Sequence, residues 1–579
     1  MLPFHRSLRL ALSLAMAVLL LQLAACEEAN GPDAPDGVAD LVLLDGKVVT
    51  LDDEMGEAEA VAVRDGRIVA VGSSAEIGEW VGSDTEVVEL DGRLVIPGFV
   101  EGHGHFMGLG EARLTVDLSG TTSWEEIIAL VEEAVEEAEP GEWITGRGWH
   151  QERWDPAPDN TFDGVPTHHS MTEVSPDNPV LLTHASGHAS FANGPALQEA
   201  GITADSPDPS GGTIVRDDAG EPTGFLRQAA QGAARFAHSR FESQMSDEER
   251  HERRLRQVEL AGEEALAHGV TSFHDQGSSF STIELFRDLA DAGELPVRLH
   301  VAVRGESMES MRERLQDYRM VSYGDHFLTV RAIKRAIDGA LGTHGAWKLE
   351  PYADMPESTG LPQTEPSTLR ELAELALENG YQLHTHAIGD RGNREALDIY
   401  EEVLQGVEDH RWRIEHAQHL HPDDIPRFAE LGVIASMQGI HGTSDGPWIE
   451  PRLGEERARS GAYVWRDLLD SGATICNGTD VPVEPISPIE SYFSSVTRVM
   501  RDGEAFFPEQ AMTRMEALRS YTLSCHEAAF HEEDLGRIAP GMLADLVVLD
   551  RDLLTVPDEE IQDTRVDLTI LNGEVRYRR

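Results

Sequence analysis

The chain has 579 residues, 40% of them hydrophobic, enough for one large globular domain with additions or for several domains. It carries 104 acidic residues against 47 basic ones, a net charge of −57. Such a chain repels a phosphate backbone and an anionic membrane surface, which argues against nucleic acid or a lipid face as a direct partner.

In chain order, the first segment reads as a targeting signal. Arg6 and Arg9 form a basic start, and residues 10–25 are an uncharged apolar run. That run is shorter than the ~20 residues a spanning helix needs, so a cleaved signal is expected. It ends in Leu23-Ala24-Ala25-Cys26. Small residues directly before a cysteine resemble the bacterial lipobox. Residues 1–26 are therefore expected to be a lipoprotein signal peptide with Cys26 lipidated. The protein is then exported and anchored to a bacterial membrane, on its periplasmic or cell-surface side, through that lipid alone. Residues 27–38 read as a polar tether. Beyond Cys26 only Cys476 and Cys525 remain, and two cysteines do not make a disulfide framework.

Residues 39–96 show apolar runs broken by Asp-Gly turns, the pattern of hairpins. Residues 531–579 repeat it, with an Asn-Gly turn. The two pieces predict one small β-sandwich domain built from both chain ends, with the body at 97–530 between them. In that body, eight candidate strands (94–105, 269–275, 297–303, 327–339, 381–390, 411–418, 432–441, 473–480) are mostly separated by helical patterns. The fold class is α/β, a TIM-type (β/α)8 barrel. The long gap after the first strand, about 107–260, predicts a cap insertion beside the barrel mouth.

Polar residues gather at the carboxyl ends of these strands, where barrel enzymes place their chemistry. The first ends in His103-Gly104-His105; i and i+2 share a face, so both imidazoles reach one ion. The fourth carries Lys334, the fifth His384 and His386, the sixth ends in Glu415-His416 and the eighth in Asp480. This nitrogen- and oxygen-rich set suits zinc or another divalent transition metal. Lys334 stands out because the chain has only three lysines, at 47, 334 and 348. An ammonium beside metal ions must deprotonate. The neutral amine can then take up carbon dioxide, and the resulting carbamate can bridge two ions, which a guanidinium cannot do.

PGFVEGHGH, IKRAIDGALG, HTHAIGDRGN, RIEHAQ, NGTDVPVEP and GRIAPGMLADLVVLD together resemble the amidohydrolase superfamily, in its family 3 branch with N-substituted formamide deformylase-like proteins. The similarity runs from about residue 39 to the end. The first motif is usually written with Asp where this chain has Glu101. The resemblance implies that His103 and His105 hold one metal with Asp480. His386 and His416 would hold the second, with carboxylated Lys334 bridging if two ions are present. His384 sits deeper and is the lesser candidate. Trp149, His188 and His441 fall in segments that resemble the family's substrate side. The implied reaction is hydrolysis of a C–N bond in a small amide, formamide or cyclic amide by metal-activated hydroxide, with Asp480 as base and then acid. The same metal site also suits ester or lactone hydrolysis or an isomerisation, and a tethered, non-catalytic binding protein is a third reading. A homo-oligomer is left open.

Overall fold

The computed structural model describes residues 37–579 except 119, 152, 153, 157, 159, 185–188, 210, 211 and 343. Cys26 with its lipobox, and His188, lie outside the described residues.

Eight strands run parallel in one sheet, in chain order: β1 (Phe99–Gly104), β2 (Val270–Ser278), β3 (Arg298–Val303), β4 (Leu328–Ala336), β5 (Gln382–Ala387), β6 (Arg413–His416), β7 (Ile434–Gln438) and β8 (Ile475–Gly478). Every residue of β1, β3, β6, β7 and β8 is buried. That burial is expected of parallel strands covered on both faces, and it takes the polar residues Glu101, His103, Arg413, Glu415 and His416 inside with the apolar ones. Helices α1 (Phe106–Arg113), α2 (Asp247–Ala267), α3 (Phe280–Ala292), α4 (Pro366–Glu378) and α5 (Asp390–Val403) belong to the surrounding layer. Ser246 and Ser279 cap α2 and α3 by accepting from the backbone of Glu249 and Thr282.

The barrel is nearly closed. Between β8 and β1 the seam is held by Asp480 N donating to His103 O at 2.7 Å, and by Glu101. The Glu101 carboxylate accepts from Thr479 N and Oγ1, both at 2.7 Å, and from His103 N at 3.1 Å. Gly478 packs so closely on this clasp that a methyl group there would overlap Glu101 Oε1 and His103 N. Cys476 on β8 is disulfide-bonded to Cys525 in the helix Leu523–Ala528. The sequence reading set these two cysteines aside; the fold brings them together across 49 residues of chain.

The two chain ends meet in a small β-sandwich. Leu94–Pro97 pairs antiparallel with Leu546–Leu549 in a six-stranded sheet, which packs on a four-stranded sheet containing Leu41–Leu44 and Ala60–Arg64. The run expected as one strand over 94–105 is therefore two strands in two sheets. The chain crosses between them at Gly98, where a side chain would strike Thr271. The insertion after α1 forms its own six-stranded sheet, with two apolar cores centred on Trp149 and on Leu226.

Candidate functional site

The carboxyl ends of the barrel strands open into a cavity of about 380 Å³. His103, His105, Lys334, His386, His416, His441 and Asp480 all line it. No described residue of the insertion does. Trp149 is elsewhere: fully buried in the insertion, it donates from Nε1 to Leu182 O at 3.0 Å and packs against Trp154 and His184. The expected substrate-side role for Trp149 is thus replaced by a core role. His384 lies below the cavity, hydrogen-bonded through Nδ1 to Gln276 Oε1 at 3.1 Å.

Alternation along a strand cannot put adjacent residues on one face. Arg413 and Glu415 point into the barrel, and His416 nevertheless reaches the same site. Its backbone is left-handed, with φ 75°, followed by Ala417 at 43°. Asp480 is also left-handed, at φ 62°. Two of the candidate ligands thus occupy backbone conformations that non-glycine residues rarely adopt, held by the strand ends around them.

The donor set fits a metal. His103 Nε2 and His105 Nε2 lie 3.6 and 3.2 Å from Asp480 Oδ1. Two ligands about 2.1 Å from a tetrahedral zinc stand about 3.4 Å apart. Donor atoms of His103, His416 and Asp480 lie within 4.8 Å of one another. The rings of His386 and His416 are 4.5 Å apart. His386 Nε2 and Asp480 Oδ1 are buried without a hydrogen bond among the described residues. The grouping mixes the two ligand sets expected from the sequence, as it would around one ion or two neighbouring ones.

Partners behind the ligands fix which nitrogen is free. His103 Nδ1 bonds to the Glu415 carboxylate, and His416 Nδ1 to Gln438 Oε1 at 2.8 Å. Both imidazoles therefore carry their proton on Nδ1 and present a bare Nε2 to the cavity. Burial, helped by the Lys334 charge, holds His103 well below the ordinary imidazole value, so it is neutral and able to ligate. Burial likewise draws His386 down to about 3. Burial opposes ionisation of Glu415, but Arg413 and Lys334 bring it down to about 2. Arg413 Nε lies 2.8 Å from Glu415 Oε1, and neither side chain has any exposure. Burial also works against Asp480, yet His103 and His105 hold it well below the usual carboxylate range.

Burial draws the Lys334 amine down to about 8, against the pull of Glu415 and Asp480. Among the described residues no carboxylate lies within ion-pair reach of it, whereas Lys47 pairs with Asp552 at 2.8 Å and Lys348 with Asp390 at 3.2 Å. Asp338, in the same motif, accepts from the backbone N–H groups of Trp347, Ile388 and Gly389 and so pins the loop after β5. The sequence reading noted Glu415 at a strand end but gave it no role, and it missed Gln438 and Asp338. A polar residue closing a buried strand, as Gln438 closes IASMQ, was the available signal.

A profile of the amidohydrolase family matches residues 86–577. The chain is 35% identical over 523 residues to Protein LONG AFTER FAR-RED 3 of Arabidopsis thaliana, covering 88% of this chain and 87% of that one. It is 30% identical over 547 residues to N-substituted formamide deformylase of Arthrobacter pascens, covering 93% and 98%. The crystal structure of an uncharacterized metal-dependent hydrolase from Pyrococcus horikoshii OT3 aligns with a TM-score of 0.69 at 27% identity, over 90% of this chain and 99% of that one. With this barrel, a histidine and aspartate cluster at its carboxyl end and a match along most of its length, the chain belongs to the amidohydrolase family and is a metal-dependent hydrolase.

Proposed function

We propose that the protein hydrolyses a C–N bond in a small amide, formamide or cyclic amide. The observation that carries this reading is the convergence of five imidazoles, an unpaired lysine and an aspartate on one cavity. A relative named for formamide deformylation supports the bond type. One or two divalent ions, zinc by the donor set, would be held by His103, His105, His386, His416 and Asp480. Such an ion, when bound, supplies Lewis-acid activation of the carbonyl and of water. If two ions are held, Lys334 as its carbamate would supply an anionic ligand to them, for which an unpaired, buried, weakly basic amine is the right precursor.

Asp480 is ionised at neutral pH and lines the cavity, so it takes a proton from the attacking water and returns it to the leaving nitrogen. His441 Nδ1 faces Gln418 Nε2 at 3.3 Å and accepts from it. Its proton then sits on Nε2, which is buried without a partner among the described residues and available to the developing oxyanion.

The test is a matched panel of formamides, acetamides, cyclic imides and esters given to protein of measured metal content. Release of amine from the nitrogen substrates supports the reading; turnover of esters alone refutes it. We also propose export and lipid anchoring at Cys26, supported by the Cys476–Cys525 bridge, which suits an oxidising compartment. Among the described residues no helix is long and apolar enough to cross a membrane. Cys26→Ser should release the protein from the membrane fraction; retention with lipid labelling would overturn this.

A further inference from the structure

The cavity contains one basic side chain besides Lys334: Arg304, at the end of β3. Its stem is held in place. Arg304 N donates to Ser278 O at 2.9 Å, and the side chain lies directly over Gly277, where any Cβ would overlap its methylenes. Gly277 has φ 142°, in the region that favours glycine. The glycine thus serves as a flat seat for the arginine stem, and the guanidinium projects into the opening.

That guanidinium has no ion-pair or hydrogen-bond partner among the described residues. Nor does that of Arg335, whose charge it feels. In a chain with 104 acidic residues, an arginine at the site left without a carboxylate is unexpected. Asp445 and Glu484 also line the cavity, but neither lies within ion-pair distance of Arg304, and Asp445 is engaged by Tyr463 Oη at 2.6 Å. Leu341, Ile388, Trp448 and Val483 give the wall an apolar stretch, Val483 being 67% exposed at the mouth.

We infer that Arg304 is a specificity-determining residue that binds a carboxylate carried by the substrate, so that the preferred substrates are amides of apolar amino acids or similar amide-acids. This deepens the proposed amide hydrolysis and rests on it. A planar guanidinium fork matches a carboxylate in size and charge. A dianionic phosphate fits less well, because Asp445 and Glu484 share the same opening. The apolar wall takes the side chain, and the scissile amide lies toward His416 and Asp480.

The test compares N-formylphenylalanine with N-formylphenethylamine, which differ in the carboxylate alone, in wild-type protein and in Arg304→Met, which keeps a stem over Gly277. The wild type should prefer the acid. The ratio of kcat/KM, acid over neutral, should fall about ten- to hundredfold in the variant, the range for one charged hydrogen-bonded pair. An unchanged ratio with both compounds still hydrolysed overturns the inference and leaves amide hydrolysis standing. If metal-loaded protein hydrolyses neither compound, it is the formamide reaction that fails. The arginine is then judged by calorimetric binding of 3-phenylpropanoate against 3-phenylpropanamide. Loss of the preference for the acid in Arg304→Met supports the subsite, and an equal preference in both proteins refutes it. A variant with lowered thermal stability and an unchanged preference would make Arg304 a packing residue seated on Gly277, which also refutes it.

Discussion

Away from the cavity, buried histidines on the barrel strands and in the helix Leu523–Ala528 should make the protein acid-labile. His274, His300 and His526 are each at most 2% exposed, and burial first, then neighbouring charges, holds all three well below the ordinary imidazole value. Both ring nitrogens of His300 lack a partner among the described residues. In the native state these rings stay neutral as the pH falls, while the unfolded chain takes up a proton at each near pH 6.5. The unfolded state therefore binds more protons below that pH, and stability falls with acidification. A ring that stays neutral costs up to about 1.4 kcal/mol per pH unit, about 2.3 kcal/mol between pH 6.5 and 4.5. The check is His300→Gln, which cannot titrate, followed by urea unfolding of both proteins at a series of pH values. The slope of stability against pH should drop by one proton, and the variant should gain about 2.6 kcal/mol relative to wild type at pH 4.5 compared with neutral pH. An identical slope in the two proteins would mean that His300 already protonates in the native state, and the argument from burial would fail.

Three further outcomes follow from the site. Lys334→Ala should lose activity and regain part of it with added formate or acetate, whereas Lys334→Arg should be inactive and not rescued; an Arg variant near wild-type activity would eliminate the carbamate. Glu415→Gln should strip His103 of its orienting carboxylate and leave Arg413 buried without its counter-charge, weakening zinc binding about 10- to 100-fold in a chelator competition. Unaltered zinc affinity would show that Glu415 does not govern His103. Gly478→Ala should force the seam apart and cost about 1–3 kcal/mol in urea unfolding, where a surface glycine would cost little.

Much of the barrel was legible because buried parallel strands are continuous apolar runs that stop at glycine or aspartate. The ligands were legible because they punctuate those runs at the same end. What escaped the sequence was non-local or depended on the backbone. The run LVIPGFVEGHGH is apolar on both sides of Gly98, so nothing local marks its passage from sandwich to barrel. Glu415 is separated from His103 by 312 residues, and its role exists only once β6 faces β1. His416 breaks strand alternation through its left-handed backbone, which composition does not announce. Trp149 sits among polar residues in GRGWHQERW and looked like a pocket residue, but it is the centre of a separate core. Glu101, a departure from the usual aspartate, is explained by the seam, since it reaches Thr479 on the far side.

The most direct test of the account is an anomalous difference map from crystals of zinc-loaded protein. One or two peaks should appear in the cavity, within about 2.0–2.2 Å of donor atoms from His103, His105, His386, His416 and Asp480. Strong density elsewhere, such as among His274, His300 and His384, with none between these five, would contradict it.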